Sequence, residues 1–376
     1  MNVSVIGAGI HGLCAAWALA RDGHEVCVFE QAAVPNPLGS SVDQHRLIRY
    51  PYGASAGYTR MVGEAFEAWE RVWRDLGETL YARTGTLALG RDANGWTDAS
   101  AATLEQLRIP ARRLSAGEVE RIFPMLRVDG VRIALYVETG GVLFAQRIVA
   151  SLARLLPTRG VRIAPQTRVR SLDTSTAAIV LEDGARVKAD CLVVAAGAWV
   201  TRLLPEMKRR VTPSRQVLVY ADPPAQYAEH WRHGPAIMDL DNDGFYLVPP
   251  VAGADLKIGD HRFNLRGDPD KEREAAPSEA AAVLDHARRT LRDFERYQLK
   301  ASRTCFYTVE PNERFIVEQT GRTWVVSACS GHGFKFGAVM GLAVADGVAA
   351  RRDARDITDW AAGVPQAGTM RSHVGG

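Results

Sequence analysis

The chain has 376 residues, 47% of them hydrophobic, enough to build a large buried core and more than one domain. Its 46 Lys and Arg against 43 Asp and Glu leave a formal charge of +3 scattered along the chain, which excludes the clustered basic footprint of a nucleic-acid binder. Five separated cysteines (Cys14, Cys27, Cys191, Cys305, Cys329) without C-x-x-C spacing exclude a disulfide framework and offer no metal-ligand constellation. The expected compartment is therefore reducing and cytoplasmic; Val3, Val5 and Ile6 enter a strand at once, leaving no room for a basic leader. No uninterrupted apolar run reaches the roughly 18 residues of a membrane helix, so no membrane partner is expected.

Residues 2–30 predict strand, turn, helix and strand: Val3 to Ile6, a glycine turn, Leu13 to Arg21, then Glu25 to Glu30 after the Asp22-Gly23 stop. A Pro-, Gly- and Ser-rich loop spans 35–57. Tyr58, Met61, Val62, Ala65, Phe66, Trp69, Val72, Trp73 and Leu76 then recur at helical spacing, which marks core packing. Residues 80–140 read as short strands (Thr84 to Leu89, Val131 to Val137) around a polar, helix-prone middle. From 142 the pattern is α/β again: a helix from about Ala145, strands near Arg162, Arg168, Ile179 and Arg186, and an apolar strand Cys191 to Ala196 that runs into Gly197-Ala198-Trp199. Glycine there lets a ligand approach the main chain. Residues 213–310 are strand-rich (Gln216 to Tyr220, Ala236 to Leu240, Phe245 to Val248, Leu256 to Asp260, Arg303 to Thr308) around one helix, Ser278 to Phe294. The strand Trp324 to Ala328 then leads into Ser330-Gly331-His332-Gly333-Phe334-Lys335 and a helix through Ala350.

Gly7-x-Gly9-x-x-Gly12 lies between a strand and a helix, and Glu30 ends the next strand. The first glycine makes the tight turn, the second admits a pyrophosphate, the third lets helix and strand pack, and the acid accepts from ribose hydroxyls. This register predicts dinucleotide binding. FAD is favoured over NAD, because the late corner at 330–335 supplies a hold for an isoalloxazine ring, with a helix start to stabilise the charge of the reduced ring. The predicted fold is α/β: a Rossmann-like, glutathione-reductase-type FAD domain (1–80, 142–212, 313–376) interleaved with an antiparallel-sheet α+β substrate domain (81–141, 213–312).

Taken together, the Gly7 turn with Glu30, Gly39-Ser40-Ser41 before Arg46-x-x-Arg49, Gly140-Gly141-Val142, Ala196-Gly197-Ala198-Trp199, Leu256-Lys257-x-Gly259-x-His261, Cys305-x-Tyr307 and Ser330 to Phe336 resemble the monomeric sarcosine oxidase family. That family is the amine-oxidising branch of the D-amino-acid-oxidase-like flavoproteins, and the likeness covers essentially the whole chain. It implies a small amino-acid substrate, dioxygen as oxidant and hydrogen peroxide as product, with the chain a monomer or small homo-oligomer. It implies that Cys305 forms a thioether to FAD, that Arg49 and Lys335 grip the substrate carboxylate, that Arg46 lies by the flavin, that Lys257 activates dioxygen, and that His261 and Tyr246 line the pocket. It also places Ser40, Gly197, Trp199, Gly331 and Gly333 against the cofactor.

The residues themselves support part of this. Arg49 and Lys335 combine a forked donor with a point charge, a suitable pair for a carboxylate. A cation in a first helical turn opposes the dipole and wants an anion. Lys257 and His261, four apart in a strand, share one face. The chain departs from the family archetype at Ser41 and Val42, where histidines are usual, at His45, and at Leu247-Val248-Pro249-Pro250, so the amine need not be sarcosine. Two other readings stay open: a dehydrogenase of the same fold that passes electrons to a quinone or carrier, and a flavin-binding subunit without its own chemistry.

Overall fold

The computed structural model describes residues 1–241 and 244–364, so the last twelve residues of the expected 313–376 segment lie outside the described residues. One sheet has six strands in the order Ile316–Thr320, Thr323–Ser327, Cys191–Val194, Asn2–Ile6, Glu25–Phe29, Arg162–Ala164. All neighbours are parallel except the first pair, a hairpin. Parallel strands buried on both faces read as continuous apolar runs, and these do. Val3, Val5 and Val193 face a core shared with the helices Ile10–Arg21, Ala56–Leu76 and Gly337–Val348, while Ile6, Phe29, Leu192 and Val194 face a second core under the small sheet Val169–Asp173, Ala178–Leu181, Arg186–Lys188. Two helices touch closely because Gly341 carries no side chain: a Cβ there would sit 2.4 Å from the Cys14 carbonyl oxygen.

The second large sheet has eight strands: Gln298–Val309, Thr212–Asp222, Leu256–Asp260, Phe245–Val248, Ala236–Asp239, Thr86–Gly90, Ile133–Val137 and Arg112–Leu114. Its pairs are antiparallel except Ala236–Asp239 with Thr86–Gly90. Period-2 alternation decides what each face carries. Val217, Val219, Phe245, Leu247, Leu256 and Ile258 bury one face against Val283, Leu284 and Ala287 of the helix Pro277–Thr290. The intervening residues Leu218, Tyr246, Val248 and Lys257, with Cys305 and Tyr307 from the edge strand, therefore turn to the other face, toward the six-stranded sheet. A second small sheet, Arg46–Ile48, Gly141–Leu143 and Tyr81–Ala82, presents Arg46 and Arg49 to the same region.

Several elements differ from expectation: the 213–310 region holds a second helix, Ala225–Arg232, and the strand expected over Arg303 to Thr308 spans Gln298–Val309. The helix expected over Ser278 to Phe294 stops at Thr290, where Leu291 turns extended (φ −99°, ψ 134°) and bridges Leu126. The strand expected over Gln216 to Tyr220 runs from Thr212 to Asp222, because the Gln298–Val309 strand pairs along its whole length. The helix expected to open at the 330–335 corner opens at Gly337, after a single 3-10 turn over Phe334–Phe336.

Candidate active site

Two cavities meet between the large sheets. The first, about 420 Å³, runs over the N-terminal turn and contains Gly7, Gly9, Glu30, Ser40, Gly197 and Trp199 in its wall. Gly7 has φ +102°, and a Cβ on Gly12 would lie 1.9 Å from the Gly7 carbonyl oxygen, so this turn requires glycine at both positions. The Ile10–Arg21 helix begins here with Gly9 at its N-cap and no side-chain cap, which leaves backbone donors and the positive end of the dipole toward the cavity. Buried Glu30 is fixed by Ala8 N at 2.8 Å, Ala32 N at 3.1 Å and Asn36 Nδ2 at 3.0 Å. Trp199 Nε1 donates to Asp270 at 2.8 Å, anchoring the far wall.

The second cavity, about 140 Å³, adjoins the first and shares with it His11, Ser40, Gly197, Thr308 and Cys329. Arg46, Arg49, Tyr246, Lys257, His261, Gly331, Gly333 and Lys335 all line it, so the fold gathers side chains separated by almost three hundred residues. The corner is fixed by geometry that only small residues allow: Gly331 has φ +77°, and a Cβ on Gly333 would meet the Ala328 carbonyl oxygen at 1.8 Å. Ser330 N donates to Thr308 O at 2.8 Å and His332 N to Cys329 O at 2.9 Å, so these two donors of the corner are spent within the chain.

Lys335 is buried, not solvated. Its Nζ donates to Tyr52 Oη at 2.8 Å and to His332 O at 2.7 Å, and burial together with the Arg49 charge holds its pKa well below the usual lysine value. Arg49, expected in a polar loop, is also buried; its guanidinium lies 4.1 Å from the Tyr52 ring centre and 5.3 Å from that of Trp96, and donates to Pro51 O. Among the described residues no carboxylate lies within ion-pair distance of either cation. Tyr246 hydrogen bonds with Tyr307, and burial pushes its phenol up to about 12. His261 reaches Glu313 Oε2 through Nε2 at 2.9 Å and packs edge-on against Phe263. A third cavity, about 570 Å³, continues outward past Arg49, His261 and His332 to Trp96 and Glu313.

Lys257 points to the cavity together with His261, as their shared strand face leads one to expect, but its Nζ is held by Asp43 Oδ2 at 3.0 Å and His45 O at 2.6 Å. Arg46 pairs with the same Asp43 carboxylate and donates to Ser40 O at 2.6 Å. Cys305 does not form part of either cavity wall; its thiol packs with Leu218, Tyr307 and Val309, 3.9 Å from Arg46 Nη2. Cys329 is the cysteine that lines both cavities, and burial raises its thiol pKa.

Several wall residues escaped sequence reasoning. His11 Nδ1, Thr308 Oγ1 and Ser327 Oγ are buried without a hydrogen-bond partner among the described residues, and all three residues line the first cavity. Unpartnered buried polar atoms are costly and so mark places where a polar ligand supplies the partner. Burial drops His11 to a pKa of about 4, so at neutral pH it is an uncharged imidazole beside the glycine turn. Its place inside Gly9-x-His11-Gly12 was the available signal. A glycine turn, an acid at the ribose position, a helix start whose Ile10 N is taken by Ser41 Oγ while its dipole faces the cavity, and unpartnered buried polar atoms fit a dinucleotide in the first cavity.

Comparison with known proteins agrees. Over 357 residues, 90% of each chain, this protein is 27% identical to monomeric sarcosine oxidase from Bacillus sp. (strain B-0618). It is 27% identical over 352 residues, 90% of this chain and 92% of the other, to N-methyl-L-tryptophan oxidase from Yersinia pestis (strain Pestoides F). Among solved structures, L-proline dehydrogenase from P. horikoshii superposes with TM-score 0.83 at 18% identity, covering 96% of both chains, and NikD, an amino acid oxidase of nikkomycin biosynthesis, with TM-score 0.80 at 21% identity over 99% of both. The family model described as FAD dependent oxidoreductase matches residues 2–347, and the chain belongs to that family of FAD-dependent oxidoreductases.

Proposed function

We propose that this protein oxidises the carbon–nitrogen bond of a small amino acid with a primary, N-methylated or cyclic amine, giving an imine that water hydrolyses, and passes the electrons to dioxygen to form hydrogen peroxide. The observation that carries the reading is the pair Arg49 and Lys335, two buried basic side chains on one cavity with no carboxylate in ion-pair distance among the described residues. A buried charge without a partner is strongly unfavourable, so an anionic ligand is the natural occupant, and a fork plus a point charge suits a carboxylate.

FAD held by Gly7, Gly9, Glu30, Ser40 and Gly197 of the first cavity would supply a two-electron acceptor. Arg49 and Lys335 fix the carboxylate, and the walls of Tyr246 and Tyr307 exclude water around the α-carbon. None of the tyrosines nearby has an acidic enough phenol to serve as a base at neutral pH, since burial raises Tyr52 and Tyr246. The amine is therefore taken as its neutral form, and the residues contribute position and charge. Lys257 is the cation assigned to the dioxygen side, Arg46 a further positive charge beside the ring, and His261, held by Glu313, a pocket wall. The six-stranded sheet forms the cofactor domain and the eight-stranded sheet the substrate domain. Cys305 is proposed as the covalent tether, through its position beside Arg46 on the strand edging the cavity.

An anaerobic screen of N-methyl, cyclic and simple amino acids for bleaching of the flavin absorbance, followed by a peroxide assay in air, tests this. Bleaching by carboxylate-bearing amines and stoichiometric peroxide are expected. If no such amine bleaches the flavin, the substrate class is wrong; if bleaching occurs without peroxide, the electron acceptor is wrong and the dehydrogenase reading replaces it.

A further inference from the structure

Asp43 lies in the loop between the strands Glu25–Phe29 and Arg46–Ile48 and was not among the residues singled out in the sequence. Both Asp43 and Lys257 are 1% exposed. The Asp43 carboxylate receives Lys257 Nζ at 3.0 Å on Oδ2, pairs with Arg46, and accepts from the Tyr220 hydroxyl and from Gln44 N at 2.7 Å on Oδ1. Its own backbone is pinned as well, since Asp43 O accepts from Gln146 N at 2.9 Å. One carboxylate thus holds both cations that lie beside the reaction centre.

From this geometry we propose that Asp43 is the positioning residue for the oxygen side of the site: it aims Lys257 and Arg46 and keeps Lys257 an ammonium ion. The inference rests on the oxidase reading for the role of Lys257, but its structural core, the charge state of a buried lysine, is independent of it.

The surroundings of Lys257 otherwise favour the neutral amine. Burial and the neighbouring Arg46 and Arg303 all act against its charge. From the Thr212–Asp222 strand it faces Tyr220, which burial holds protonated at about 12; from the Phe245–Val248 strand Tyr246, likewise at about 12; from the edge strand Cys305; and from the loop His45, whose pKa burial and Lys257 press down to about 3. At neutral pH Tyr220, Tyr246 and His45 are uncharged. Cys305 acts weakly the other way and the His45 carbonyl accepts from Nζ, but the Asp43 carboxylate is the anion hydrogen-bonded to the ammonium, and with it the charges of Asp43, Lys257 and Arg46 sum to a single positive charge. A neutral amine could not offset negative charge developing on dioxygen, whereas an ammonium held in place can.

The sign follows. Burial lowers the Lys257 pKa, and the adjacent Asp43 carboxylate opposes that lowering; removing the carboxylate moves the loss of the proton to lower pH than in the wild type. The test uses the holoenzyme with lysine labelled at the ζ-nitrogen with 15N. The chain has six lysines, and Lys257→Met assigns the resonance. In the wild type the Lys257 signal should remain that of an ammonium from pH 6 to pH 9, and in Asp43→Asn it should titrate within that range. The rate constant for reoxidation of the reduced enzyme by air should be nearly flat over this range in the wild type and fall at least tenfold from pH 6 to pH 9 in Asp43→Asn, and Asp43→Asn combined with Lys257→Met should show no such fall. Substrate KM should stay within about twofold. Asp43→Glu keeps the charge and should keep the ammonium.

A wild-type Lys257 that is neutral at pH 8, or an Asp43→Asn signal and reoxidation profile that superpose on the wild type, overturns the proposal. If Asp43→Asn does not fold, the wild-type and Asp43→Glu resonances decide it. Because the nuclear resonance readout needs no turnover, it stands whether or not peroxide is the product.

Discussion

The Tyr52 hydroxyl accepts a hydrogen bond from Lys335 Nζ at 2.8 Å, while the ring of the same tyrosine carries the Arg49 guanidinium 4.1 Å from its centre. One side chain therefore spaces the two basic groups of the site. It sets how far apart they stand before a ligand arrives, which is the preorganisation that a bidentate grip on an anion needs.

Replacing Lys335 with Met removes the point charge and leaves the fork. A charge-assisted hydrogen bond contributes about 1.5–3 kcal/mol, so the dissociation constant of a carboxylate inhibitor such as propionate should rise tenfold or more. Flavin content, read from the ratio of visible to ultraviolet absorbance, should not change. Tyr52→Phe should cost less, about 1 kcal/mol, because both cations stay.

The same inhibitor should report the lowered pKa of Lys335. Burial and Arg49 favour the neutral amine, so the lysine is a cation only below its depressed value. Affinity should therefore be full at low pH and fall as pH rises, beginning well below the ordinary lysine range, and Lys335→Arg should flatten the profile. Propionate is useful because it stays ionised throughout the window. A profile flat to pH 10 would contradict the burial of this lysine.

Gly12→Ala should abolish flavin binding through packing. Its Cβ would stand 1.9 Å from the Gly7 carbonyl oxygen, backbone that cannot swing away as a side chain can. Overpacking of this kind costs about 3 kcal/mol. Thermal unfolding should fall by several degrees and the purified protein should be colourless.

Cys305→Ser and Cys329→Ser separate the two thiols near the ring end. With Cys305 as the tether, acid-precipitated wild type and Cys329→Ser stay yellow while Cys305→Ser gives a white pellet. Colour lost from the Cys329 variant instead would move the link to the thiol that lines both cavities.

Legibility in the sequence follows the range of the interactions involved. The glycine turn, the buried parallel strands and the aromatic stripe from Tyr58 to Leu76 are written in local spacing, and they appear where the periodicity puts them. The four-residue spacing of Lys257 and His261 put them on one face, and both line the second cavity, although alternation with Leu256 and Ile258 alone also allowed an exposed Lys257. Lys335 was expected in the first turn of a helix, yet the chain takes one 3-10 turn before Gly337; a local cue cannot show the Trp69 indole, whose Nε1 donates to the Lys335 carbonyl at 2.7 Å from the helix Ala56–Leu76. Asp43 is the larger omission. Its partner Lys257 lies on another strand far along the chain, and a loop aspartate ordinarily reads as solvated, so nothing nearby in sequence announces the ion pair. His11, Thr308 and Ser327 were missed for a related reason, since an unpartnered buried atom is a property of the fold.

The first two cavities share a common wall at His11, Ser40, Gly197, Thr308 and Cys329. A dinucleotide lying in the first would therefore furnish one side of the second, so loading and substrate recognition are thermodynamically linked rather than parallel events. The apoprotein then has two cations without a complete receptacle, and a carboxylate that raises the melting temperature of the loaded enzyme should leave that of the apoprotein nearly unmoved.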